Sequence, residues 1–445
     1  MSFSAASLHA VLEACVPAEA AGLVVALSGG ADSAALLAAA AGLEPRFRGL
    51  PLRAIHIDHR LQPAAADFRQ ACEALCSRFA VPLTTVAIDV ELESGASIEA
   101  AARDARYAAF ALQLRPGECL LTAHHCKDQA ETVLLQALRG AGVKGMSAMP
   151  SCRALGAGWH LRPLLELQQS ELRQLSRELT LGALDPMNED LRFDRVYLRK
   201  AIWPLLEKRW PGAEIALART AGHLADAQRL LDLAAGADVA PLRDGEALSV
   251  QGLRALPSLK RVNAVRWWLS EAGVEVPSTA RLVEALRQVF DARADHQPSV
   301  AWGVKALRRY RERLFVTDAE PPQLEQVRSW PVAPGSSIEL GPRLGKLTWL
   351  PQSGGLAREK LPAVVVVRRR EGGETLKPAR LAKTQTVQHL CQSFGVLPWM
   401  RDALPLVFAG DELIAVADLW MDARWCAAAH APGLQVAWNN GPLVS

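Results

Sequence analysis

The chain has 445 residues, enough for two or three domains with room to bury their cores. Its 50 Lys+Arg against 47 Asp+Glu leave a net charge of +3, which excludes a uniformly charged binding surface and confines any nucleic-acid contact to a local patch. No apolar stretch approaches the ~20 residues of a membrane span, and Met1-Ser2-Phe3-Ser4 lacks a cationic lead-in, so a soluble cytoplasmic protein with no membrane partner is expected.

In chain order, Leu23-Val24-Val25-Ala26-Leu27 reads as a short β-strand. Ser28-Gly29-Gly30-Ala31-Asp32-Ser33 follows it directly, and Ala34-Ala35-Leu36-Leu37 opens a helix. This is a strand–loop–helix phosphate cradle. Gly29 and Gly30 can adopt positive φ and let a phosphate approach the backbone. Successive amide N–H groups and the positive helix end make an anion site that needs no lysine, and Ser28 and Ser33 add hydroxyls. The Asp32 carboxylate would repel phosphates unless a cation lay between them, which predicts a Mg²⁺ bridging Asp32 and the phosphates of ATP. A simple Asp/Ser helix cap after a glycine turn is the structural alternative. The loop has neither the Gly-Lys-Ser/Thr of a Walker A loop nor a G-x-G-x-x-G. Its S-G-G-x-D-S pattern is similar to the loop of enzymes that split ATP into AMP and pyrophosphate.

Alternation continues with a strand at Leu52–Ile57, a helix over Asp67–Phe79 and a strand at Leu83–Ile88. Ser97 can cap a helix over Ile98–Leu114. A buried strand at Cys119–Thr122 and a helix over Lys127–Arg139 complete the series. The fold class is therefore α/β, a parallel sheet with helices on both faces. In such folds ligands bind at the C-terminal strand ends, where the glycine loop, His56-Ile57-Asp58-His59 and Ala123-His124-His125 converge. Helices are predicted at Ile215–Leu233, Lys260–Glu271 and Thr279–Phe290, with strands at Val300–Trp302 and Leu314–Val316. The proline-rich Glu320–Pro334 reads as a linker. Strands at Leu347–Leu350, Ala363–Arg368 and Leu413–Ala417, with a helix near Thr386–Phe394, make a small α+β tail. The expected division is a catalytic domain over 1–205, a mainly helical domain over 206–320, linker and strands over 321–360, and a C-terminal domain over 361–445.

Two further constellations carry chemistry. In His124-His125-Cys126-Lys127-Asp128-Gln129-Ala130-Glu131-Thr132, helical spacing puts Ala130, Val133, Leu134, Ala137 and Leu138 on an apolar stripe. His124, Asp128 and Glu131 share another face, suited to a metal or a cationic substrate group. First-turn acids and a capping His125 would be the ordinary structural roles. Asp185-Pro186-Met187-Asn188 is a turn signal. Beyond it Arg195 and Arg199, at i,i+4, suit phosphate oxygens of ATP or RNA, or act as salt-bridge partners of Asp190 and Asp194. The basic residues Lys305, Arg308, Arg309, Arg311 and Arg313 surround Tyr310. With Arg368-Arg369-Arg370, Lys377, Arg380 and Lys383 they are candidate phosphate contacts. The eight cysteines include no C-x-x-C; Cys72 and Cys76 sit at i,i+4, and scattered reduced thiols are expected.

The three motifs together resemble the tRNA(Ile)-lysidine synthetase family of pyrophosphatase-loop (PP-loop) enzymes. The likeness extends through Arg139–Gly142 and Arg162-Pro163-Leu164-Leu165. It resumes at Arg370-Glu371-Gly372-Gly373-Glu374-Thr375-Leu376-Lys377-Pro378, Leu397–Asp402 and Leu404-Pro405-Leu406. Departures are Lys127, Met187 and Val196. The resemblance implies that ATP adenylates the C2 oxygen of the wobble cytidine of a tRNA(Ile) with a CAU anticodon, and that free L-lysine then attacks C2 and expels AMP. It assigns ATP binding to Ser28, Gly29, Gly30, Ala31, Asp32 and Ser33, beside His124 and His125. It points to Asp128 and Glu131 for lysine, and to Arg106 with Arg195 or Arg199 near the reacting groups. A lysine amine has pKa ~10.4, so one of the two carboxylates is expected to take its proton. Family members can be dimers, so a homodimer is carried over as well. The rival readings are a PP-loop tRNA thiolase, disfavoured by the lack of C-x-x-C, and a tRNA-binding protein with a dead site, disfavoured by the intact loop and carboxylates.

Overall fold

The computed structural model describes residues 3–43, 47–58, 65–89, 98–179, 191–293, 298–324, 327–379, 381 and 383–439. They form two compact units, Met1–Leu231 and Asp232–Ser445.

The first unit begins with α1 (Ala5–Cys15), β1 (Gly22–Ala26), α2 (Ala31–Ala41), β2 (Leu52–Asp58), α3 (Ala65–Arg78) and β3 (Leu83–Ala87). It continues with α4 (Ile98–Gln113), β4 (Glu118–Leu121), α5 (Cys126–Leu138), α6 (Val143–Met146), β5 (Cys152–Leu155), β6 (Gly158–Leu161) and α7 (Gln169–Glu178). The sheet order is β3-β2-β1-β4-β6-β5, parallel except for β5, which turns back antiparallel on β6 at the edge. Val24, Val25, Leu120 and Leu121 are fully buried because both sheet faces are covered, and this is why these strands read as unbroken apolar runs. Each such side chain contributes roughly 1.5–3 kcal/mol by leaving water. Chain order reverses direction at β1, flanked by β2 and β4. A crevice at the C-terminal ends of β1 and β4 is the expected ligand position for that topology.

After the first unit's sheet come α8 (Asp194–Tyr197), a π-helical turn at Leu198–Ile202, α9 (Trp203–Arg209) and α10 (Ala213–Val239). A π turn adds a residue to the helical repeat and is frequent at functional sites. The Asp185–Asn188 turn motif, Asp190 and His59 lie outside the described residues.

The second unit opens with β7 (Arg243–Asp244), β8 (Ala247–Ser249), α11 (Val250–Ala255), α12 (Ser258–Glu271) and α13 (Thr279–Asp291). With β9 (Ser299–Trp302), β10 (Lys305–Tyr310) and β11 (Arg313–Asp318) they make a sheet of order β7-β8-β11-β10-β9, cored by Leu253, Leu269, Leu282, Leu286, Leu307 and Leu314. Two larger antiparallel sheets, of five and four strands, follow with a two-stranded ribbon. They share a core that includes Trp330, Trp349, Val365, Val367, Val407, Leu434 and Val436. The linker expected at Glu320–Pro334 is corrected here: Arg328–Pro331 is a strand paired with Val364–Val367. Trp330 is fully buried, its ring stacked on Trp349 at 4.5 Å. Proline density suggested a linker, but Pro331 ends an edge strand, a position where a missing N–H costs little.

Candidate active site

The glycine loop leaves β1 and closes on itself. Ser33 Oγ donates to Gly30 O at 3.0 Å, accepts from Ser28 N–H at 3.2 Å, and lies 3.0 Å from Ser28 Oγ. Gly29 has φ +85°, and a Cβ there would meet Phe68 Cδ1 at 3.0 Å, so two constraints demand glycine. The expectation of positive φ at Gly30 is corrected. It sits at φ −76° as the N-cap of α2, and a Cβ there would lie 3.4 Å from Ser28 Oγ. The first intrahelical donor is Ala34, bonded to Gly30 O, which leaves the N–H groups of the first turn available to an anion.

Asp32 meets His125, with His125 Nε2 3.5 Å from Asp32 Oδ2 and 3.5 Å from Asp128 Oδ2. His125 is the N-cap of α5, and its backbone N–H donates to Asp128 Oδ2 at 3.1 Å. Burial pushes the Asp32 carboxyl up, but contacts with His125 and Gln169 outweigh it and hold it below the usual range. Burial pulls the His125 imidazole down, but Asp32 and Asp128 outweigh that and raise it. Asp32 fits a hard cation shared with phosphate oxygens. Its side chain is 32% exposed, and His125 and Gln169 both stand 3.5 Å from Oδ2, which leaves Oδ1 to coordinate. Among the described residues no group of three or more metal-ligating side chains exists, so such a cation would rest on one carboxylate and substrate oxygens.

Glu131 is fully buried. Arg199 Nε and Nη2 donate to its two oxygens at 2.8 and 2.7 Å, a bidentate pair, and Nη2 also reaches Asp128 Oδ1 at 3.2 Å. Arg195 Nε lies 3.7 Å from Glu131 Oε2, and its Nη2 donates to Thr132 at 3.1 Å. The two arginines therefore reach one helix face, but the face is that of Asp128 and Glu131. Asp194 instead lies 3.5 Å from Arg139. Sequence spacing could not pair residues 68 positions apart. Lys127 points elsewhere, 5.2 Å over the Trp203 ring.

No sequence motif marks the wall beside His124. Thr122 Oγ1 lies 2.8 Å from His124 Nδ1 and 2.9 Å from His160 Nε2, and Arg153 Nε donates to His160 Nδ1 at 3.4 Å. Burial, then Arg162 and Arg153, pull the His160 imidazole down to about 2. Burial, then Arg162, His160, Arg195 and Arg106, hold His124 well below its usual value. Arg106 sits 5.9 Å from the Tyr107 ring, which also meets Arg103 and Arg153. His160 and Arg153 come from the β5–β6 hairpin, whose polar residues carry no motif that would have flagged them.

In the second unit the run Lys305–Arg313 is corrected from a free basic face. Arg309 is 4% exposed and bonded to Val289 O, Ala292 O and Glu312, while Lys305 pairs with Asp318 and Arg313 with Asp244. Among the described residues Arg308 has no carboxylate partner; it donates to Thr317 Oγ1 and Ala319 O, lies 5.5 Å over Trp399, and lines with it a cavity of about 240 Å³ that Ser299 and Pro398 complete. In the tail, Glu374 accepts from the backbone N–H of Glu371 and Gly372, and Gly372 and Gly373 take φ +104° and +84°. This turn presents Arg369 exposed, while Arg368 packs 4.0 Å from Phe408 and Arg370 pairs with Asp402 at 2.9 Å.

Residues 4–206 match a family model for a PP-loop domain. Residues 248–315 match the TilS substrate binding domain, and 365–438 the TilS substrate C-terminal domain. Among curated proteins the chain is 39% identical to the tRNA(Ile)-lysidine synthase of Alkalilimnicola ehrlichii, over 95% of each chain. It is 36% identical to that of Coxiella burnetii, over 93% of this chain and 92% of the other. With that of Methylococcus capsulatus it shares 35%, over 93% and 95%.

Proposed function

Because this chain belongs to the tRNA(Ile)-lysidine synthase family, we propose that its first unit holds ATP and L-lysine at two ends of one crevice and joins the lysine to C2 of the wobble cytidine of tRNA(Ile) with a CAU anticodon. The enzyme is an ATP-using ligase. The observation that carries the site assignment is the contact chain from Asp32 on the glycine loop, through His125, to Asp128 and Glu131 on α5. It joins a phosphate cradle to a carboxylate pair, the two halves such a ligation needs.

In this reading the open N–H groups after Gly30, with Ser28 and Ser33, bind the phosphates that leave as pyrophosphate. Mg²⁺ shared between Asp32 and those phosphates would neutralise their charge. The C2 carbonyl oxygen of cytidine attacks the α-phosphorus, pyrophosphate leaves, and C2 now carries AMP in place of a poor oxide leaving group. The lysine amine attacks C2, loses a proton, and AMP departs with the former carbonyl oxygen. Asp128 and Glu131 recruit the lysine ammonium. Arg199 already occupies both carboxylates, so lysine must share them or expel the guanidinium. An arginine so released, with Arg106 and Arg195, would stand near the phosphoryl charge. The two matched TilS domains bind the tRNA, with exposed Arg369 and the Arg308–Trp399 cavity as RNA contacts. A tRNA substrate puts the enzyme in the cytoplasm.

Incubating the purified chain with tRNA, ATP and labelled lysine tests this. Label in the tRNA with matched AMP release is expected; neither product would overturn the reading.

A further inference from the structure

The polar contacts beside His124 run in one direction only. A guanidinium nitrogen can donate but never accept, so Arg153 Nε–H, 3.4 Å from His160 Nδ1, requires that Nδ1 be bare. A neutral His160 then carries its proton on Nε2 and donates to Thr122 Oγ1 at 2.9 Å. Thr122 is buried, and among the described residues its hydroxyl meets no partner but the two imidazoles. Its own proton therefore goes to His124 Nδ1 at 2.8 Å, the one acceptor left to it. A ring nitrogen that accepts leaves the proton on the other one. His124 Nε2 makes no hydrogen bond to a described residue, and the ring stands among the positive charges of Arg106, Arg162 and Arg195. Their positive field at the ring, although Arg195 also faces Glu131, favours an anionic occupant, and Thr122 and His124 directly follow β4, which lies beside the strand that leads into the glycine loop.

We propose that Arg153, His160 and Thr122 form a directional hydrogen-bond chain that fixes the proton of His124 on Nε2, making that N–H a donor to a phosphoryl oxygen of the bound nucleotide. Thr122, His160 and Arg153 are thus positioning residues acting through His124. The tautomer is independent of the synthase reading; the phosphoryl acceptor rests on it. If the hydroxyl were lost, His124 would be free to populate both tautomers, and in the second one Nε2 would present a lone pair to an anion.

The test is side-chain nitrogen–proton correlation NMR on the full chain labelled with ¹⁵N-histidine, with His124 assigned by His124→Gln. The wild type is expected to show His124 with bare Nδ1 and protonated Nε2, and ATP should shift the Nε2–H signal. Thr122→Ser should keep the pattern, whereas Thr122→Val should move the Nδ1 signal and mix the tautomers. Pyrophosphate release by Thr122→Val should fall roughly tenfold, the scale of one oriented hydrogen bond, with tRNA affinity unchanged. A wild-type proton on Nδ1, or Thr122→Val signals identical to wild type, would overturn the chain. An Nε2–H signal that ATP leaves unmoved would overturn the donor role. If Thr122→Val does not fold, the wild-type and Thr122→Ser spectra still decide. A chain that makes no pyrophosphate yet shows the Nε2–H tautomer would remove the synthase reading and leave the relay standing.

Discussion

Replacing Arg199 by methionine keeps most of the side-chain volume and removes the charge that neutralises Glu131. Glu131 is fully buried, and its remaining cation, Arg195 Nε, lies at 3.7 Å without a hydrogen bond. Breaking one side of a buried pair costs about 3–5 kcal/mol, because the surviving charge is left uncompensated. A unit of 231 residues unfolds with an entropy of about 0.5 kcal/mol per kelvin, so its melting midpoint should fall by roughly 6–10 °C. Lysine supplies the second half of the test. Its ammonium can replace the missing guanidinium, and a ligand at 100 times its dissociation constant stabilises by about 2.7 kcal/mol. In the variant that gain goes undiminished into stability, whereas the wild type must first displace Arg199. Differential scanning fluorimetry with and without L-lysine should therefore show a larger lysine shift for Arg199→Met. A midpoint drop below about 2 °C would refute the buried-pair argument, and equal lysine shifts would refute competition for the carboxylates.

Asp32→Ala should abolish pyrophosphate release and leave tRNA binding near normal; a gel-shift titration showing lost tRNA affinity would contradict its role beside the phosphates. Arg369→Glu should weaken tRNA binding and lower the salt slope of log K by about one, measured by filter binding across salt concentrations, since one phosphate contact disappears. Arg370→Glu is a less direct probe because it also breaks the pair with Asp402. Acid should destabilise the first unit through His160. Its folded value of about 2 lies below the 6.5 of an unfolded imidazole, so below pH 6.5 the unfolded chain binds a proton that the fold refuses. Stability should fall by about 1.4 kcal/mol per pH unit from this group as pH drops from 6.5 toward 2. Urea unfolding at pH 6 and pH 5 should show His160→Gln losing less than the wild type over that interval; parallel losses would contradict the assignment.

Short-range pattern made most of the catalytic fold legible. Unbroken apolar runs at Leu23–Leu27 and Cys119–Thr122 mark strands covered on both faces, and the apolar stripe marks the buried side of α5 at Ala130 and Val133, whereas Ala137 and Leu138 at its far end are exposed and Glu131 is buried instead. Serine, glycine and aspartate in fixed order marked the phosphate loop, because glycine geometry and helix-end amides are properties of consecutive residues. Where the meaning of a residue depended on a distant partner, the sequence was mute. Arg309 and exposed Arg369 look alike as letters, yet one is tied to three carbonyls and a carboxylate inside the fold. Trp330 sat in a stretch that reads as linker, and only its stacking on Trp349 made it core.

The loop, the two carboxylates and the β-α alternation as far as α5 were thus determined by the sequence alone, since each rests on periodicity or on neighbours within a turn. Which cations those carboxylates hold, and which nitrogen of His124 carries its proton, were decided by the tertiary structure. Both depend on groups brought within 3.5 Å from up to 71 positions away, where Coulomb attraction and hydrogen-bond direction act on distance in space alone.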